Sequence, residues 1–389
     1  MSSSGARRSS GFHPVPGESI DLLGHQLSFQ VHPAAPEHVY AAGGARATVY
    51  KLTDQSGQTF GLKVFKKAYR NRFVLRSARH LSRIPNLPGM QAAAREIVAP
   101  GDPAVRKYPE LEYSVLMPWI SGDTWFDILL KTATGKIYLR PDAAARLCSR
   151  FLRVMKGLED SKIAHTDISP GNVMVDVDVP DVQLLDLEDM FLDGQDKPAN
   201  PNRGTNGYRH SAQDGDGDCW CDAGDRYAAA VMAAEMIILS NPKLSYKASD
   251  EGYFAGNRNS PEASERFVEG VKWVHECSPA LAGLIRRAWD SPSLAACPSI
   301  ASLNDAAEAY ANALPHKSGP AFVPRELPVR WEPFPTRRER ITRRRPWRRA
   351  RKLWLFLREH QRSIRVALAV CSACAVLLAI WVLRRLFLK

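Results

Sequence analysis

The chain has 389 residues, 45% of them hydrophobic, enough for one sizeable core with segments to spare at both ends. Its net charge of +12 first suggests nucleic acid, but 13 Lys or Arg against 2 acidic residues fall between Arg337 and Arg365, and Arg384, Arg385 and Lys389 follow near the end. The remainder carries about −2 on the same counting, which excludes nucleic acid as the partner the main domain is built for.

Residues 1–35 are rich in Ser, Gly and Pro and lack an apolar signal-peptide region. They read as a flexible leader, and Arg7 and Arg8 do not make an export signal. From His38 to Lys67, HVYAAGGARATVYKLTDQSGQTFGLKVFKK gives two β-rich runs around a glycine-containing turn and then a third strand. Backbone N–H groups at Gly43 and Gly44 could cradle phosphates, although an ordinary hairpin has the same pattern. Lys63 lies inside the apolar run FGLKVF, before Lys66 and Lys67.

Arg72 to Val98 is a helical pattern rich in Arg and Leu, broken at Pro85 and Pro88, and no acidic residue occurs between Lys63 and Glu96. Glu112 to Ile120, EYSVLMPWI, reads as a strand. Pro141 to Ser161 repeats apolar residues at helical spacing, with Pro141 and Asp142 in its first turn.

Next comes HTDISPGNVMVD, His165 to Asp176, followed by VQLLDLED, Val182 to Asp189. Asp167 and Asn172 share one loop, and Asp186 ends a short apolar run, so a proton acceptor and two metal ligands can converge. Phosphoryl transfer needs such a set, because ATP brings its own reactive bond and the protein must hold Mg²⁺ and orient a hydroxyl. The segment from Phe191 to Asp225 is long and polar. Cys219 and Cys221 within it stand too close for a zinc half-site and read as reduced thiols.

Residues 316–336 are rich in Pro and Arg and read as a linker; 337–365 form a basic segment in which Trp347, Trp354, Leu357 and Ile364 can share a helical face. Residues 366–383 are 18 uncharged residues, just long enough to span a bilayer, and 384–389 form a short tail. With the basic segment preceding the span, the positive-inside rule predicts a single-pass protein of the cell membrane, its main domain cytoplasmic.

The two motifs around Asp167 and Asp186 resemble the HxDxxxxN and DFG motifs of the protein kinase superfamily, a resemblance covering residues 36–315. It implies an α+β, two-lobed protein kinase-like fold, with a small β-rich N-terminal lobe and a larger helical C-terminal lobe, here with one C-terminal transmembrane helix. The implied activity is an ATP- and Mg²⁺-dependent (or Mn²⁺-dependent) protein kinase with Ser/Thr specificity acting on an unidentified protein substrate. Asp167 would accept the hydroxyl's proton, Lys63 would orient the phosphates, and Asn172 and Asp186 would hold the metal. The glycine loop would use Gly43, Gly44 and Val49, with Ala42 and Ala47 in two glycine positions. Met117 would be the gatekeeper, Trp119 and Ile120 would lie in the hinge whose backbone groups meet the adenine, and Asp123 would meet the ribose.

Thr166 stands where many members carry an arginine that awaits an activating phosphate, and Ser169 where protein kinases have a lysine. Glu188 replaces the glycine of DFG, and GTNGYRHSA from Gly204 resembles GTxxYxAPE, with Ala212 for the glutamate and Cys297 for the arginine that would pair with it. The usual lysine-pairing glutamate is missing from the first helix; Glu96 reaches back or the pair is lost. A nucleotide-binding scaffold without transfer and a small-molecule kinase are the alternative functions.

Overall fold

The computed structural model describes residues 12–84, 87–198, 201, 203–211, 219–248, 252–254 and 261–325. These described residues cluster as one compact unit.

Strands β1 (Ser19–Leu22) and β2 (His25–Phe29) form an antiparallel hairpin, followed by the short pair β3 (Val31–His32) and β4 (Ala35–Val39). Then β5 (Ala41–Gly43), β6 (Ala47–Asp54) and β7 (Thr59–Phe65) run antiparallel, β6 pairing β2 through its last residues and β5 through its first half. Helix α1 (Arg72–Leu81) starts at Asn71, whose side chain accepts from the Phe73 and Val74 N–H groups, and it buries Val74, Ala78 and Leu81. Strand β8 (Glu96–Ile97), helix α2 (Pro103–Lys107) and strand β9 (Val115–Pro118) complete a curled seven-stranded sheet whose pairings are all antiparallel. Leu22, Leu27, Phe29, Leu52, Leu62 and Leu116 form the core on one of its faces.

After β10 (Asp123–Thr124), helix α3 (Trp125–Ala133) opens with a reciprocal cap between Thr124 and Asp127. Strand β11 (Ile137–Leu139) and helix α4 (Pro141–Asp160) follow, α4 with proline in its first turn. Strands β12 (Ile163–Ala164), β13 (Val173–Asp176), β14 (Asp181–Leu184) and β15 (Phe191–Leu192) carry the loops that matter for function. Helix α5 (Arg226–Ile238) is buried along its length after Arg226, and α6 (Pro261–Cys277), α7 (Pro279–Trp289) and α8 (Ile300–Ala313) pack around it. Strand β16 (Phe322–Pro324) returns to pair with β11.

Three expectations are corrected. Among the described residues the expected two-lobed kinase arrangement with a membrane helix is not found: they are α+β, but the N-terminal part is mostly strand, enlarged by residues 19–29 of the expected leader. Ile20, Leu22, Leu27 and Phe29 alternate onto the core face of the sheet, which is why the hairpin is held. The expected cell-membrane, single-pass localisation is corrected to what the described residues show: none of their helices is long and apolar enough to cross a membrane. The longest, α4, has 20 residues but carries Arg146, Arg150, Arg153 and Lys156 along one side, and the apolar α5 has only 13. The span expected at 366–383, with the basic segment 337–365 and the tail 384–389, lies outside the described residues. Finally, the linker expected from residue 316 is packed as far as Arg325. Arg140 donates to the carbonyls of Lys317, Ser318, Gly319 and Pro320, and β16 follows directly.

Candidate functional site

The loop between β12 and β13 is shaped by Asp225, the residue just before α5. Asp225 is 2% exposed, and its carboxylate accepts from the backbone N–H groups of His165 and, at 2.8 Å, Thr166. Thr166 sits at φ +67°, a left-handed conformation that costs a β-branched residue on the order of 1–3 kcal/mol. The two bonds to Asp225 and a third from Thr166 Oγ1 to the Asp189 carbonyl (3.0 Å) hold it there. Burial pushes the Asp225 carboxyl up, and these same N–H groups favour its charged form.

His165 is buried and serves as scaffold. Its Nε2 lies 2.6 Å from the Leu185 carbonyl, which can only accept, so Nε2 carries the hydrogen. Nδ1 is then the acceptor for the Asp167 N–H at 3.3 Å.

The turn so built presents Asp167. Asn172 Nδ2 donates to the Asp167 backbone carbonyl (2.8 Å) and to its carboxylate (3.3 Å), while Thr205 Oγ1 donates to the other carboxylate oxygen at 2.7 Å. Thr205 belongs to a segment fixed through Tyr208, whose hydroxyl donates to the buried Glu235 of α5 at 2.7 Å. Asn172 is tied to the strand end before Asp186, because the Leu185 N–H donates to its carbonyl at 2.9 Å. Asp186 takes φ +62° and is half exposed. Asp167, Asn172 and Asp186 are therefore brought onto adjoining turns by one backbone connection.

Lys63, on β7, is 6% exposed and pairs with Asp186 and, at 2.5 Å, with Glu188. The other oxygen of Glu188 accepts from Arg95 Nη1 at 2.7 Å, and the Arg95 side chain is fully buried. Ser77 of α1 donates to the Glu188 carbonyl at 2.9 Å. Burial works against the charge of Lys63, but the Glu188 and Asp186 carboxylates outweigh it and hold Lys63 above its ordinary value. Burial likewise works against the Glu188 carboxylate, and Lys63 and Arg95 overcome it, keeping Glu188 well below the usual range. Glu96 stays away from this site: it pairs with His25 at 3.0 Å and is half exposed. The partner of Lys63 thus comes from the turn after β14, where Glu188 stands two residues beyond Asp186.

Gly43 and Gly44 lie at the turn joining β5 to β6, which closes through the Gly44 N–H to the Ala47 carbonyl at 2.8 Å. Across from it in the sheet, Val49 stands opposite Lys63, and Gly61 opposite Met117. A Cβ on Gly61 would lie 3.4 Å from Val49, 3.6 Å from Met117 and 3.6 Å from Trp119, so the three side chains converge over a position with no side chain. The Trp119 N–H is taken by the Thr59 carbonyl at 3.1 Å. Ile120 is buried beside it. Asp123 pairs with Lys131 at 2.5 Å near the surface, a contact of little energetic weight. Arg46, on the same turn as Gly44, pairs with Asp189, the residue after Glu188.

Asp186 and Asn172 supply hard oxygen donors of the kind Mg²⁺ takes, and a half-exposed Asp186 leaves room for the waters and phosphate oxygens that complete such a set. Among the described residues no group of three or more His, Cys, Asp and Glu side chains stands together as a ready metal cage.

No family model matches the chain, and no curated protein matches it.

The sequence reading missed Glu188, Arg95 and Arg46 as site residues. The available signal was Lys63, a basic residue inside an apolar run with no acidic residue after it before Glu96, so that a carboxylate distant in sequence had to meet it.

Proposed function

We propose that this chain transfers the γ-phosphoryl group of ATP to a hydroxyl of a protein substrate, with Mg²⁺ and at Ser or Thr. The observation that carries the reading is the convergence of Asp167 and Asn172 with Asp186 and the buried Lys63 through one connected set of turns. The metal, when bound, neutralises phosphate charge and aligns the terminal phosphates for in-line displacement. Lys63 is held charged by Glu188 and orients the phosphates, while Asn172 and Asp186 hold the metal. Asp167 receives the acceptor hydroxyl's proton as the new P–O bond forms and ADP departs.

Hydroxyl acceptance is supported by Thr205, whose hydroxyl already donates to Asp167 at 2.7 Å. Ser169, which raised the small-molecule reading, is 6% exposed and offers no contact to an acceptor.

A second reading, nucleotide binding without transfer, is favoured by the direct pairing of Lys63 with Asp186, since both must turn to phosphate and metal for catalysis. Transfer of label from γ-labelled ATP to the chain itself and to a generic protein distinguishes the two. Label on Ser or Thr supports transfer, and Lys63-dependent ATP binding without label supports the scaffold.

A further inference from the structure

The turn between β5 and β6 carries one side chain that reaches across to the metal loop. Arg46 Nη1 pairs with Asp189 Oδ2, and its guanidinium lies 5.7 Å from the centre of the Tyr69 ring. It is close enough to Asp186 for the two charges to interact. The other cations of this region are committed: Lys63 and Arg95 are buried on Glu188, and Lys66 Nζ donates to the Gly44 carbonyl at 2.8 Å. Arg46, by contrast, is 41% exposed on its side chain. The turn itself has alanine at positions 42 and 47, which limits the close backbone approach that a glycine-rich cradle gives.

We infer that Arg46 is a phosphate-binding residue that exchanges the Asp189 carboxylate for the terminal phosphate oxygens of a nucleoside triphosphate. The inference rests on the reading that this cleft takes Mg–ATP. Three features support the exchange. The guanidinium offers a planar fork of donors that fits two phosphate oxygens. A terminal phosphate carries more charge than the single carboxylate it would replace. Asp189 is one residue from Glu188 and three from Asp186, so the place Arg46 now occupies borders the place where phosphate and metal must meet. In its present position Arg46 straps the turn to the metal loop. Once exchanged, it would bring charged donors to the phosphates from a turn whose alanines limit close backbone approach.

Binding of Mg–ATP, Mg–ADP and adenosine to the full chain by titration calorimetry tests this, in wild type, Arg46→Ala, Asp189→Asn and Lys63→Ala. Arg46→Ala should weaken Mg–ATP by about tenfold, the size of one charge-assisted contact, and leave adenosine unchanged. Asp189→Asn should tighten Mg–ATP severalfold, because it releases Arg46. Tighter Mg–ATP binding in Arg46→Ala would make the pair a strap only and overturn the inference, as would equal losses for adenosine and ATP. Wild type that binds Mg–ATP through Lys63 while Arg46→Ala matches it removes this inference and leaves the proposed function standing. Wild type that binds no nucleotide removes both.

Discussion

Glu188 holds two buried cations at once, with Lys63 Nζ 2.5 Å from one carboxylate oxygen and Arg95 Nη1 2.7 Å from the other. All three side chains are at least nine-tenths buried, so each charge depends on the others for compensation. Removing one partner of such a group leaves an unpaired charge in the interior and costs about 3–5 kcal/mol. Glu188→Ala should therefore lower the unfolding free energy by about that amount, measured by urea denaturation. A loss below about 1 kcal/mol would mean that water reaches the cations and the network is not sealed.

The same carboxylate fixes a pH dependence. Lys63 and Arg95 hold Glu188 below its ordinary value against the opposing effect of burial, so the unfolded chain binds its proton more readily than the folded one. Its contribution is fully present above the ordinary glutamate range and is lost as pH falls through the depressed folded value. The stability gap between wild type and Glu188→Gln should stay constant from neutral pH down to about 5 and narrow below that. A gap that widened on acidification would reverse the sign and refute the assignment.

Asp142 gives a second, separable case. Burial raises it, yet hydrogen bonds from Arg140 and Arg146 and the Lys317 N–H hold it down to about 2. The gap between wild type and Asp142→Asn should close between about pH 4 and pH 2, in the order of the unfolded and folded values. Arg140→Ala should in addition free residues 317–321, seen as faster hydrogen exchange at Ala321, whose N–H now donates to Asp178 at 2.9 Å.

Asp225→Ala separates the shape of the loop from its chemistry. It removes the acceptor for two backbone N–H groups that keep Thr166 at positive φ, so the turn presenting Asp167 should relax. Phosphoryl transfer should fall by about a hundredfold while the ATP concentration giving half-maximal rate changes less than threefold, since displacement of the base by about 1 Å costs that much. Equal changes in both parameters would place Asp225 in nucleotide binding instead.

The positions of Lys63, Asp167, Asn172 and Asp186 could be read because each lies in a short run whose spacing is fixed locally, by a strand or by one loop. Glu188 could not, because its partners lie 125 and 93 residues away. Arg46 and Asp189 are 143 apart and were hidden for the same reason. The N-terminal hairpin was missed differently. Glycine and proline before Ser19 gave the whole stretch the composition of a leader, while the alternation Ile20, Leu22 and Leu27, Phe29 inside it is only two short strands long. The two-lobed arrangement was inferred from catalytic motifs, which constrain loops and leave the rest of the sheet open.

The central claim is that Asp167, Asp186 and Lys63 form a working transfer site. Its most direct test is phosphate transfer from γ-labelled ATP by the full chain with Mg²⁺, comparing wild type with Asp167→Asn and Asp186→Asn, with ATP binding measured on each. The account expects label on Ser or Thr in wild type, a loss of at least about a hundredfold in both variants, and ATP binding retained in Asp167→Asn. Label that persists in Asp167→Asn at the wild-type rate would contradict it.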